Sequence, residues 1–231
     1  MHGTLQQYVI ADAGFVTQIP EGVSSEVAAP LLCAGLSLAG AVGLCEPETR
    51  KGEWVVIVGA GGGLGHIGCQ VASRVKGYRV IAIDSGDEKE KLCKECGAEA
   101  FVDYMKQDVV QAVKDLTDGE GAHALICVAG LEKAYEQAPS LVRNCGVIVC
   151  VGLPPDSFMF PMSPIHLANR GLVVKGSSTG TAEQMDELLR FAEEGLITPR
   201  IEVHGFEDAP EIVRQLQKYE VAGRMVVKAP V

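Results

Sequence analysis

At 231 residues the chain has room for one large domain or one and a half smaller ones, and 47% of it is hydrophobic, enough for a substantial core. Its net charge of −10 argues against nucleic acid or an anionic membrane as a partner. No apolar run approaches a membrane span and the N-terminus lacks the shape of a signal peptide, so a cytoplasmic location is expected.

Residues 5–19 read as short strands, broken at Gly14 and ended by Pro20, that must pack on something else. Ser24 or Ser25 then caps a helical segment with Pro30 near its start. Residues 31–44 form an apolar helix rich in small residues, closed by Glu46-Pro47.

The stretch 54–84 organises the chain. Trp54-Val55-Val56-Ile57-Val58 is a buried strand. Gly59-Ala60-Gly61-Gly62-Gly63-Leu64-Gly65 follows, and Ile67, Val71 and Val75 then share one helical face. A second buried strand from Arg79 ends on Asp84, nineteen residues past Gly65. Strand, glycine turn, helix, strand and acid is the dinucleotide-binding layout. Glycines let backbone approach a pyrophosphate, the helix N-terminus offers it free N–H groups, and Asp84 can accept from both adenosine ribose hydroxyls. Its charge would repel a 2′-phosphate, so NAD is expected over NADP. The spacing is Gly59-x-x-Gly62-x-x-Gly65, and no Lys-Ser/Thr pair follows as a Walker loop would need.

The alternation continues with a charged helix over 87–96, a strand at 100–102, an amphipathic helix over 109–116 and a strand at 122–128. A helix over 132–142 leads to the buried strand 147–151. A looser, proline-bearing segment, 154–164, precedes a last strand at 172–175. The expected fold is α/β, a doubly wound six-stranded parallel sheet. Beyond Gly176 come a helix over 182–194, a strand-like 197–203, a helix over 209–219 and a strand over 223–228; with the opening strands, these suggest part of a smaller, β-rich domain.

Eight cysteines are present, and Cys69, Cys127 and Cys150 fall in apolar patterns, so reduced core thiols are expected. Cys93-Lys94-Glu95-Cys96 has CxxC spacing but lies on a charged helix, near its C-terminal end, and reads as surface. His66 reads as an exposed helix residue that can also touch phosphate; His123, His166 and His204 are scattered singly.

Taken together, Gly3-Thr4-Leu5-Gln6-Gln7-Tyr8, Ala29-Pro30-Leu31-Leu32-Cys33-Ala34-Gly35, the glycine run, Tyr78-Arg79-Val80 with Ile83-Asp84, Val151-Gly152-Leu153-Pro154 and Gly223-Arg224-Met225-Val226-Val227 make the chain resemble the zinc-dependent medium-chain alcohol dehydrogenases, most closely the yeast and fungal type. The resemblance implies that Gly59, Gly62, Gly63, Leu64 and Gly65 form the pyrophosphate turn, with Asp84 and Lys89 at the ribose. Val128, Gly152, Leu153 and Ser178 would line the nicotinamide pocket, Ser37 would stand beside the ring, Arg224 would pair with the pyrophosphate, and Cys33 would be one catalytic zinc ligand. It implies residues 1–35 as a remnant of a GroES-like catalytic domain with a linking helix, 36–178 as the NAD-binding domain and 179–231 as the C-terminal part of the catalytic domain. The resemblance begins part-way along the family's chain. The other two catalytic zinc ligands, the proton relay and the structural-zinc cysteines belong to the preceding part, so zinc is expected for the family but not stably bound here. The implied activity is hydride transfer between an alcohol or carbonyl and NAD, by a homodimer or tetramer joined through the strand 172–175. Rival readings are a zinc-free carbonyl or enone reductase and a non-catalytic NAD-binding module.

Overall fold

The computed structural model describes residues 6, 8–218 and 221–229; most of the motif from Gly3, and the expected helical end at Tyr219, lie outside them. The opening strands are not formed among the described residues. Asp12 instead accepts from the Gly14 N–H at 2.8 Å and starts a 3-10 turn, Ala13–Phe15, while Tyr8, Ile10 and Phe15 remain exposed. Short strands with no neighbouring ladder do not persist on β-propensity alone.

Ser24 caps α1 (Ser25–Pro30), which passes through a π turn, Leu31–Gly35, into α2 (Leu36–Gly43). Pro30 thus ends the first segment rather than starting it; it has no N–H for the helical ladder, and the ladder widens directly after it. The whole helix, Ser25–Gly43, is long and apolar enough to cross a membrane by length and composition, contrary to the sequence expectation. Here its Leu31, Leu38, Ala41 and Val42 pack into the core. Small residues do bring it close to its neighbours: a Cβ on Gly40 would sit 2.8 Å from the Thr179 carbonyl oxygen.

Six strands form one parallel sheet in the order β3-β2-β1-β4-β5-β6. In chain order the elements are β1 (Trp54–Val58), α3 (Gly65–Gln70, continued by a π turn to Val75), β2 (Arg79–Asp84), α4 (Asp87–Glu95), β3 (Ala100–Asp103), α5 (Val109–Leu116), β4 (Ala122–Cys127), α6 (Glu132–Leu141), β5 (Val142–Cys150), α7 (Pro164–Arg170) and β6 (Val173–Gly176). The six-stranded doubly wound expectation holds. Beyond shifts of a residue at element ends, two features of this part differ, and further on the strand expected from 197 begins only at Ile201. β5 begins at Val142, directly after α6, with a register shift opposite Ala122 and Ala124. Within the proline-bearing stretch, Pro164 starts α7, because proline's fixed φ suits the first helical turn.

Alternation along the buried strands divides the core in two. Val55, Ile57, Ala82, Ala124 and Ile126 face a layer that includes Leu38, Ile67, Val71, Leu188 and Leu189. Val56, Val58, Ile81, Ile83 and Leu125 face the other layer, with Val109, Val113, Tyr135 and Leu141. The remaining elements are α8 (Ala182–Glu193), β7 (Ile201–His204), α9 (Ala209–Gln217) and β8 (Arg224–Val227); β7 and β8 pair in parallel as a separate two-stranded sheet.

Candidate functional site

The strand order reverses between β1 and β4, and the crevice there opens at the C-terminal strand ends, the position where open α/β sheets bind ligands. A cleft of about 1060 Å³ occupies it. Gly59 turns the chain out of β1 at φ +83°, with the Gly59 and Ala60 amides donating to the Ile83 carbonyl at 2.8 and 3.2 Å.

The glycines behind it differ in kind. A Cβ on Gly65 would lie 2.2 Å from the Gly59 carbonyl oxygen and 2.5 Å from the Ala60 Cα, so only glycine lets the helix start lie on the turn. Gly65 is therefore buried beneath the cleft. A Cβ on Gly62 would meet nothing closer than the Gly59 oxygen at 3.5 Å, and Gly62, Gly63 and Leu64 line the cleft itself. The amides of Gly63 and Leu64 have no hydrogen-bond acceptor among the described residues.

Asp84 closes β2 and is 6% exposed. Its Oδ2 accepts from the Gly61 N–H at 2.9 Å, and its Oδ1 accepts from the Ser85 N–H at 2.9 Å and from Lys89 Nζ at 3.0 Å. A carboxylate offers roughly four acceptor positions, so with three taken one remains. Lys89 and Val128 also line the cleft.

Other expected positions lie beyond the lining. Arg224 packs on the glycine turn: a Cβ on Gly63 would be 2.8 Å from its Cδ and 2.9 Å from its Nη1. Ser37 is buried and donates to the Ser178 carbonyl at 3.2 Å. Gly152 lies so close to the β4 exit that a Cβ would be 2.5 Å from the Ala129 oxygen, whereas Leu153 is 89% exposed.

Cys33 is exposed on the π turn, and among the described residues no three His, Cys, Asp or Glu side chains gather into a metal-binding group. Those residues do not by themselves fit a zinc ion, which needs three protein ligands and an open position.

Two sequence expectations are corrected, and one residue is added beside Asp84. His66 is fully buried rather than exposed; its Nδ1 is 2.9 Å from the Gly62 carbonyl oxygen and its Nε2 is 3.2 Å from the Arg200 N. Burial pushes its pKa down to about 4, against the hydrogen bond to Gly62. Cys93 and Cys96 face the core beside Cys69, although the outer face of their helix is charged as expected. Asp103, which the sequence reading passed over, stands level with Asp84 in the β2–β3 register. Burial pushes its carboxyl up, but hydrogen bonds from Ser85, the Met105 and Gly86 amides and Lys106 prevail and hold it at about 2. The end of β3 therefore carries a second fixed negative charge beside Asp84.

The zinc-binding dehydrogenase family model matches residues 63–194. Alcohol dehydrogenase 1 of Emericella nidulans is 42% identical over 230 residues, which cover 99% of this chain and 65% of that protein. The crystal structure of an alcohol dehydrogenase from Aeropyrum pernix superposes with a TM-score of 0.84 at 30% identity, covering 92% of this chain and 61% of that one. That of an NAD-dependent alcohol dehydrogenase superposes with a TM-score of 0.87 at 28% identity, covering 99% and 66%. The chain thus spans a little under two thirds of the length of its curated relatives.

Proposed function

Because the chain belongs to the zinc-binding dehydrogenase family, we propose that its cleft binds NAD for hydride transfer between an alcohol or carbonyl substrate and the nicotinamide. The observation that carries this reading is Asp84: a buried carboxylate at the end of β2, in the cleft, anchored from below by the Gly61 amide and from the side by Lys89. Held that way, it has a fixed orientation and, of about four acceptor positions, one left for a ribose hydroxyl. A 2′-phosphate would meet its charge and that of Asp103 in surroundings that screen poorly.

The remaining contacts follow from charge and space. The free amides of Gly63 and Leu64 face the pyrophosphate, Gly62 leaves it room, and the Arg224 guanidinium lies alongside to balance its charge. The nicotinamide end falls towards Val128, with Gly152, Leu153, Ser178 and Ser37 next along that side. NAD supplies the hydride acceptor; the chain's own residues hold it across the switch point and fix which end faces the substrate. β6 borders the sheet on one side only, with Val174 exposed, and a second copy paired along it is the proposed dimer contact.

Calorimetric titration of the unmutated protein and of Asp84→Ala with NAD and NADP tests the reading. Tighter binding of NAD, with the gap narrowed in the variant, is expected. Equal affinities in the unmutated protein would remove Asp84 from the ribose.

A further inference from the structure

The cofactor reading leaves one buried ionisable side chain beside the glycine turn without a role. His66 stands one residue into α3 and is fully buried, and its ring makes two hydrogen bonds that lead in opposite directions. A carbonyl oxygen only accepts, so the 2.9 Å contact with Gly62 puts the proton on Nδ1. A backbone amide only donates, so the 3.2 Å contact with Arg200 N requires a lone pair on Nε2. One form of the ring satisfies both: the neutral Nδ1–H tautomer.

Both partners matter to the cleft. The Gly62 carbonyl belongs to the same planar trans peptide as the Gly63 N–H, so the two point in opposite directions. A ring that draws the carbonyl towards the core turns the Gly63 amide outward, to the side where Gly63 lines the cleft. The Arg200 carbonyl accepts from the Arg224 N–H at 2.9 Å, at the start of β8. The Arg224 side chain then lies back on Gly63. Gly62, His66, Arg200, Arg224 and Gly63 make a closed circuit of contacts around the turn.

We propose that His66 is a positioning residue for the cofactor pyrophosphate, aiming the Gly63 amide and fastening the strand that carries Arg224 against the turn. This rests on the NAD reading. It deepens that reading by dividing the labour: Asp84 reads the ribose, while the His66 circuit builds the seat of the charged phosphates. Loss of the ring's hydrogen bonds leaves the Gly62 carbonyl held only by the His66 backbone N–H, at 3.2 Å, and loosens the Gly63 amide and Arg224. Losing a charge-assisted contact to a phosphate corresponds to about tenfold to a hundredfold in affinity.

The test compares two probes on the unmutated protein and on His66→Phe, which keeps an aromatic ring but makes neither hydrogen bond. NADH carries the pyrophosphate; adenosine carries the ribose without it. NADH affinity is expected to fall about tenfold or more, with adenosine affinity held within about twofold. Equal losses for both probes would mean a general structural role and overturn the proposal, as would no loss for either. An unmutated protein that binds neither probe would instead overturn the NAD reading, and the proposal with it. Imidazole nitrogen-15 shifts of the unmutated protein need no variant: at neutral pH they should report a neutral ring protonated on Nδ1. An Nε2–H tautomer or an imidazolium would refute the circuit.

Discussion

The two glycines Gly62 and Gly65, three residues apart, should fail in different ways when each is replaced by alanine. At Gly65 the added Cβ would lie 2.2 Å from the Gly59 oxygen, 2.5 Å from the Ala60 Cα and 2.7 Å from the Ala60 carbonyl carbon. All three are backbone atoms of the turn, so no flexible side chain can move aside. Overpacking of this kind costs about 1–3 kcal/mol and occasionally more, while alanine's better helix propensity returns up to about 1 kcal/mol. Three backbone contacts at once place Gly65→Ala at the upper end of that range, with a net loss of about 2 kcal/mol. For a chain of this size that corresponds to a melting point lowered by about 4–8 °C. At Gly62 the Cβ finds ordinary van der Waals space, so stability should stay within about 0.5 kcal/mol. The methyl would instead occupy part of the pyrophosphate seat, and NAD affinity should fall by about tenfold or more, about 1.4 kcal/mol. Thermal unfolding followed by circular dichroism reads the first effect, and calorimetric titration reads the second. A Gly65→Ala protein as stable as the parent, or a Gly62→Ala protein binding NAD unchanged, would refute this division of roles.

Further outcomes follow from the same geometry. His66, held neutral with a pKa of about 4 first by burial and then by the charges of Arg224 and Arg200, is protonated in the unfolded chain below about pH 6.5. The unfolded state therefore binds the extra proton between those values, and stability should fall as pH drops from about 6.5 to 4, by about 3 kcal/mol from this group. Denaturant melts of the parent and His66→Phe should diverge in that window, and parallel profiles would contradict it. Cys33 and Cys145 are exposed while Cys45, Cys69, Cys93, Cys96 and Cys127 are buried, so brief alkylation of the native protein should mark the first two; mass spectrometry showing prompt labelling of Cys69 or Cys93 would contradict the packing. Zinc content by atomic absorption should be substoichiometric, since one exposed thiolate coordinates too weakly; a full equivalent of zinc per chain would show that a site assembles around Cys33.

The central βαβ unit was legible because each part signals locally: a β-branched run, glycines, a periodic helix and an acid at the end of the next strand. The site's surroundings were less so. His66 has no local mark of burial, and its acceptor nitrogen is used by Arg200, 134 positions away. Asp103 was closer to reach. Once three parallel strands are assigned, the β3-β2-β1 order sets the ends of β2 and β3 side by side, and an acid closing each strand follows from the sequence alone. Cys93 and Cys96 were misplaced because the helix's overall charge outweighed its period; three residues apart, they share its inner face. The opening strands show the reverse error, in which β-propensity was read where the described residues offer no ladder.

A crystal structure of the protein grown with NADH tests the central claim most directly. An adenosine ribose hydroxyl should lie within hydrogen-bonding distance of the Asp84 carboxylate, with the pyrophosphate against Gly62, Gly63 and Leu64 and the nicotinamide towards Val128. A nucleotide seated away from the β1–β4 switch point, or a cleft that stays empty at saturating NADH, would contradict the account.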